Sequence, residues 1–203
     1  MNKKDLNGRR LRAGIVGGGQ GAFIGRVHRI AAELDGEALV VAGAMSSDAA
    51  IARQSANAWY LERWYASFAD MARIEATRDD GIDFVIVATP NHLHYPVAKA
   101  FIEHGIAVVC DKPLAHTLEA AQALAALVAS SGQLFALTHT YTGYPAVREA
   151  RERVRQGHLG EIRKVLLEYQ QGGYPVAADG LRGMNFVARV VESSRHGGRW
   201  VDV

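Results

Sequence analysis

A run of glycines between an apolar stretch and a helical pattern is the first place where residue types and spacing imply chemistry. Gly17-Gly18-Gly19-Gln20-Gly21-Ala22-Phe23-Ile24-Gly25 follows the strand-like stretch 11–16 and precedes Val27, Ile30, Ala31 and Leu34, which are apolar at helical spacing. Such a turn lets backbone amides approach a diphosphate at a helix N-terminus, where the macrodipole favours negative charge. A nicotinamide or flavin dinucleotide suits that chemistry. The spacing departs from G-x-G-x-x-G, because Ala22 stands at the third glycine position and Gly25 comes three residues later. By itself the run reads equally as a tight turn or a phosphate cradle.

Three further polar clusters follow apolar runs: Thr89-Pro90-Asn91, Asp111-Lys112-Pro113 and Thr138-His139. Lys112 can do chemistry: when hydride leaves a carbinol carbon the hydroxyl proton must also go, and a cation beside that oxygen stabilises developing negative charge. The alternative is an exposed lysine at a helix start, where the dipole disfavours it. His92, His94 and His139 have no carboxylate or cysteine cluster to complete a ligand set, so no metal site is expected. Cys110, closing an apolar run, reads as a packed, inert thiol. Near position 46 an acidic residue would hold a ribose diol; the chain has Ser46-Ser47-Asp48 with Arg53 one helical turn on. Small hydroxyls beside an arginine suit a 2′-phosphate, so the reading leans to NADP over NAD. Asp48 either meets a ribose or sits in the first turn of a helix.

The elements that must position these residues follow from periodicity. Segments 13–16, 39–42, 84–88, 107–110 and 134–137 are strand-like, with a short third strand within 59–65. Helical patterns occupy 23–34, 49–58, 68–76, 95–104 and 118–131. In the last, Leu118, Ala121, Leu124, Ala125 and Val128 form one apolar face, with Gly132 as the C-cap. Apolar strands alternating with amphipathic helices predict an α/β fold, a doubly wound parallel sheet buried on both faces. Ligands of such sheets sit outside the carboxyl ends of the strands, which is where all four polar clusters fall.

Composition narrows the function. Across 203 residues, 49% hydrophobic content supports a real core, and 23 Lys+Arg against 21 Asp+Glu is too balanced for a nucleic-acid partner. The basic opening (Lys3, Lys4, Arg9, Arg10, Arg12) reads as a solvated tail; Arg9-Arg10 is no export signal, since the apolar residues behind it belong to the first strand. With no membrane-length apolar run and a single cysteine, a cytoplasmic protein without a membrane partner is expected.

Residues 17–28, Ala88-Thr89-Pro90-Asn91-His92-Leu93-His94 and Val109-Cys110-Asp111-Lys112-Pro113-Leu114-Ala115 together resemble the N-terminal Rossmann domain of the Gfo/Idh/MocA oxidoreductases. The resemblance implies an NAD(P)-dependent enzyme moving hydride between nicotinamide and a sugar or cyclitol hydroxyl or carbonyl. It further implies that Gly17, Gly19 and Gly25 line the diphosphate, that Thr89, Pro90 and Asn91 border the nicotinamide with His94 at the crevice, and that Lys112 points at the reacting oxygen. Asp111, also on the cofactor side, replaces the family's glutamate in Glu-Lys-Pro. Residues 20–23 lengthen the usual turn.

The resemblance makes 1–140 the dinucleotide-binding domain and 141–203 a truncated remnant of an α+β substrate and dimerisation domain, leaving a homo-oligomer open. Residues 144–156 read as its first helix and 162–171 as its first strand, which would leave an unpaired edge. From Gly172-Gly173 the chain passes into what resembles the end of such proteins, so an internal deletion near 172–175 is expected. Phe186, Val187, Val190 and Val191 suggest a helix packing back on the sheet. The family's Asp-x-x-x-His base pair is absent after Tyr144, and His139 could replace it only by reaching the nicotinamide. Two readings stand: an oxidoreductase, or a catalytically inactive dinucleotide-binding module.

Overall fold

The structure is a computed structural model that describes residues 8–164, and the chain divides into two compact units, Met1–His139 and Thr140–Val203. In the first unit β1 (Leu11–Gly17), α1 (Phe23–Glu33), β2 (Ala38–Ala44), α2 (Ala49–Ala58), β3 (Arg63–Trp64), α3 (Phe68–Glu75), β4 (Phe84–Ala88), α4 (His94–Glu103), β5 (Ala107–Asp111), α5 (Leu118–Ser131) and β6 (Phe135–Thr138) alternate along the chain. The strands form one six-stranded sheet in the order β3-β2-β1-β4-β5-β6, and every pairing is parallel. This is the expected doubly wound α/β fold. Its order reverses between β1 and β4, the switch point at which open α/β sheets bind ligands.

Strand residues alternate between two apolar layers. Val85, Val87, Val108 and Cys110 meet Met71, Val97, Ala98, Phe101 and Leu124 of α3, α4 and α5 on one face. Ala13, Ile15, Val40, Ile86 and Ala88 meet Ile24, Ala32 and Ala56 of α1 and α2 on the other. Side chains punctuate the helices: Asp48 Oδ1 accepts from the amides of Ala50 and Ile51, Ser67 caps α3 and Thr117 caps α5. Gly132, at φ +65°, ends α5 in the left-handed conformation. Asp48 is thus the helix-start reading realised.

Three sequence readings are corrected by packing. The apolar spacing of α1 marks its outer face: Phe23 and Leu34 are each 81% exposed, with Val27 and Ile30 exposed between them. The helix packs through Ile24, Gly25 and Ala32 instead. In α5, Leu118 is 68% exposed and Ala125 also faces outward, while Leu124, Leu127 and Val128 pack on the core. The basic opening is anchored where it is described: Arg9 makes two 2.8 Å bonds to the Asp83 carboxylate, and Arg12 pairs with Glu62 and donates to Asp80 O at 2.9 Å.

One buried ion pair joins α3 to the sheet edge. The Glu75 side chain is wholly buried and accepts from Arg63 Nε (2.7 Å) and Nη2 (3.0 Å), Tyr65 Oη (2.7 Å) and the Ile82 amide (3.1 Å). Burial would lower the Arg63 pKa, but the bonds and charge of Glu75 outweigh it and hold it raised. Burial first, then Glu75, push the Tyr65 phenol up to about 12.

In the second unit a short 3-10 turn (Thr140–Gly143) precedes α6 (Pro145–Arg155), whose Pro145 occupies the first turn. Residues 162–164 have no regular structure; the remainder of the expected strand, the 172–175 junction and the terminal helix lie outside the described residues. No described helix is long and apolar enough to cross a membrane.

Candidate active site

Parallel register brings the polar clusters to one edge of the sheet. Gly17 is paired with Ala88, Val87 with Cys110, and Asp111 with Thr138. The glycine turn, Thr89, Lys112 and His139 each come immediately after one of these strand ends. The arrangement expected from topology is therefore the one observed.

The glycine turn is packed to backbone contact. A Cβ on Gly17 would meet Ala88 O at 2.6 Å, and one on Gly19 would meet Met45 O at 2.6 Å. Gly17, Gly18 and Gly21 adopt φ of +78°, +69° and +82°. Gly25 is buried on α1, and its Cβ would stand 2.4 Å from Gly18 Cα. Its placement makes it a close-packing glycine between turn and helix, and as the third residue of α1 its amide belongs to the uncapped first turn. Gly18, unassigned from sequence, is its partner. Ser55 holds the turn by accepting from the Gln20 amide at 3.0 Å. Unlike α2, α3 and α5, α1 begins at Ala22 with no side-chain cap, leaving its first amides available.

At the end of β2, Ser46 Oγ accepts from the Asp48 amide at 3.1 Å, while Ser47 and Arg53 are exposed. After β4, Thr89 Oγ1 is buried without a hydrogen-bond partner, whereas Pro90 and Asn91 are exposed. A buried hydroxyl lacking a partner is costly unless something else satisfies it.

His94 departs from its expected place at the crevice. It is 1% exposed, with Nδ1 2.6 Å from Pro113 O and Nε2 3.0 Å from Thr89 O. Both ring nitrogens are occupied by main chain, so the ring is not presented to a ligand. Asp111 is corrected similarly: Oδ1 accepts from Thr138 Oγ1 at 3.1 Å and lies 3.5 Å from His28 Nε2. That second separation is an ion-pair distance without hydrogen-bond geometry, since Nε2 has no bonding partner. Sequence reading placed Thr138 in a strand-end polar cluster and His28 in the 17–28 motif, but paired neither with Asp111.

Lys112 is exposed, follows β5 directly, and makes no hydrogen bond or ion pair among the described residues. The Lys112–Pro113 peptide is cis. Cys110 is fully buried; burial foremost, then the Asp111 charge, push its thiol up to about 12, which makes it the expected inert core residue. His139 is exposed, and its amide bonds to Leu137 O at 3.0 Å. Among the described residues no group of three or more His, Cys, Asp or Glu is gathered around a common point.

The residues present fit a dinucleotide on three observations of this structure: a glycine surface with no room for Cβ atoms, an uncapped α1 N-terminus, and the orphaned Thr89 hydroxyl.

Comparison with known proteins agrees. Residues 11–139 match the model of an oxidoreductase family with an NAD-binding Rossmann fold, Gfo/Idh/MocA. The uncharacterized oxidoreductase YfiI of Bacillus subtilis (strain 168) is 38% identical over 175 residues, covering 82% of this chain and 44% of that protein. An oxidoreductase from Sinorhizobium meliloti superposes with a TM-score of 0.71 at 50% identity, over 75% of this chain and 43% of the other. An inositol dehydrogenase homolog from Azotobacter vinelandii, solved in complex with NAD+, gives a TM-score of 0.73 at 37% identity over 76% and 40%. The chain spans less than half the length of these relatives.

Proposed function

This chain belongs to the Gfo/Idh/MocA family of NAD-binding oxidoreductases, and from that premise we propose that it serves hydride transfer between a nicotinamide dinucleotide and a sugar or cyclitol hydroxyl or carbonyl. The observation that carries the reading is Lys112: exposed, without a hydrogen bond or ion pair among the described residues, and on the same sheet edge as the glycine turn. When bound, the dinucleotide supplies the hydride donor or acceptor.

The chain's own residues bind and orient. The amides of Gly17 and Gly19, with those opening α1, hold the diphosphate by hydrogen bonds that need no side chain. Thr89 contributes its buried hydroxyl on the nicotinamide side, bordered by Pro90 and Asn91. Lys112 offers the reacting oxygen a cation that stabilises negative charge as the hydroxyl proton passes to water. Ser46, Ser47 and Arg53 select the cofactor: two hydroxyls and an exposed guanidinium suit a 2′-phosphate, and the neighbouring carboxylate, Asp48, uses Oδ1 to cap α2. NADP is therefore the preferred carrier. The inositol dehydrogenase homolog supports a cyclitol or similar polyol as substrate.

Titrating NADPH and NADH against tryptophan fluorescence, then assaying both with a panel of cyclitols and aldoses, tests this. NADPH should bind more tightly, and Arg53→Ala should weaken it about tenfold while sparing NADH. Lys112→Ala should keep dinucleotide affinity and lower turnover roughly 100- to 1,000-fold. Failure of both dinucleotides to bind overturns the proposal; binding without turnover reassigns the chain as a cofactor-binding module.

A further inference from the structure

Lys112 is exposed, yet the residues on either side of it are held. Before it, the Asp111 carboxylate accepts from Thr138 Oγ1 at 3.1 Å, and the same hydroxyl reaches Cys110 O at 3.3 Å. After it, the carbonyl of Pro113 lies 2.6 Å from His94 Nδ1. The other ring nitrogen, Nε2, lies 3.0 Å from Thr89 O, in the loop whose buried hydroxyl has no partner. One buried ring thus touches both loops that carry the proposed chemistry, one following β4 and the other β5.

We infer that His94 is a positioning residue that ties the Thr89 loop to the Lys112 loop and sets where the lysine side chain starts. A carbonyl oxygen only accepts, so each ring nitrogen that bonds to one must carry a proton. A single ring proton serves one loop by hydrogen bond and the other by packing; a second proton serves both. In either state the imidazole fixes the separation of the two loops, because it is rigid and buried at the first residue of α4. The neighbouring strands already align Val87 with Cys110, but both loops leave the sheet one residue later, so the ladder alone does not set their spacing. A lysine has four rotatable bonds, and fixing its backbone leaves fewer ways for the ammonium to miss its target. Asp111, Thr138 and His94 therefore bracket Lys112 while leaving its own side chain unbound.

The inference uses the proposed function to explain why the loops matter, but its test does not depend on that function. His94→Phe retains a planar ring and donates to neither carbonyl; His94→Gln retains one amide donor. Amide hydrogen exchange of the full chain, resolved by peptide, is read in three places: residues 89–93, residues 111–115, and β2 as a distant reference. In His94→Phe, exchange should rise in both loops, by about tenfold where the ring donated its hydrogen bond and by less where it only packed, and stay unchanged in β2. In His94→Gln at least one loop should recover. Should the phenylalanine variant fail to fold, His94→Gln alone decides: a rise confined to one or both loops supports the tie. Unchanged exchange in residues 111–115, or an equal rise across β2 and both loops, overturns it, the latter because it marks a purely global loss of stability. Dinucleotide titration of the unsubstituted chain reports separately on the proposed function, so the two failures are distinguishable.

Discussion

Gly25→Ala tests the packing that shapes the cofactor turn. The added methyl would stand 2.4 Å from Gly18 Cα, 2.6 Å from Gly18 O and 2.9 Å from Gly18 C. All three are backbone atoms, so no side chain can swing aside. Ordinary contact begins near 3.4 Å, which requires α1 to retreat by about 1 Å from the turn. Overpacking of this kind costs about 1–3 kcal/mol. Replacing glycine by alanine inside a helix returns up to about 1 kcal/mol. With only backbone atoms at the contact the upper end of that cost applies, so the net loss should be about 2 kcal/mol, read as a lower urea midpoint by circular dichroism. Because the same retreat withdraws the first amides of α1, dinucleotide affinity should fall at least tenfold, roughly the worth of one charge-assisted hydrogen bond. Gly132→Ala is the matched control: its φ of +65° makes alanine cost about 1–2 kcal/mol, and nothing lies within 4 Å of the new methyl. It should lose similar stability and no affinity. A Gly25→Ala chain within about 0.5 kcal/mol of the original would refute the close contact. A destabilised Gly25→Ala chain with full affinity would refute the part given to the α1 amides.

Two further outcomes follow from buried groups. Glu75→Gln leaves Arg63 facing an amide where a fully buried carboxylate accepted both of its bonds, and should cost about 3–5 kcal/mol in urea unfolding; a loss under about 1 kcal/mol would show that the pair is not buried as described. Cys110, with its thiol pushed up to about 12, should resist disulfide-exchange reagents until the chain unfolds. The unfolded thiol loses its proton at lower pH than the folded one, so this part of the stability is complete below about pH 9 and declines as pH rises towards 12. Tyr65, raised from 10.0 to about 12, adds to the decline in the upper part of that window. Cys110→Ala should make the alkaline fall in urea midpoint shallower, and an unchanged slope would count against the thiol's share.

The fold was legible because its signals are local. Apolar runs such as Phe84–Ala88 fill strands buried on both faces, and Asp48, Thr117 and Gly132 mark helix ends through contacts within a few residues of themselves. The same locality explains the errors. Spacing at Val27, Ile30 and Leu34 correctly indicates a helix, yet it cannot say which side the sheet will cover. In α1 that side is chosen by Gly25, whose missing side chain is the condition for docking on Gly18. An apolar stripe records helical period; the absence of bulk records close approach, and here the second decides the orientation.

The candidate site divides along the same line. Lys112 and the glycine turn could be placed from sequence because each directly follows a strand, and the roles proposed for them rest on residue type and that position. His94 and Asp111 were placed in the right neighbourhood with the wrong task, because both look outward only if their partners are ignored. Those partners, Thr89 O, Pro113 O and Thr138 Oγ1, are 5, 19 and 27 residues away in sequence, and two of the three are main-chain atoms that carry no compositional trace. A polar residue at a strand end in an open α/β sheet therefore has two competing fates, ligand contact or loop bracing. Burial separates them: Lys112 is exposed, without a hydrogen bond or ion pair among the described residues, whereas His94 is enclosed with both nitrogens engaged. The role proposed for the cation rests on this contrast between an exposed side chain and the hydrogen-bonded residues that flank it.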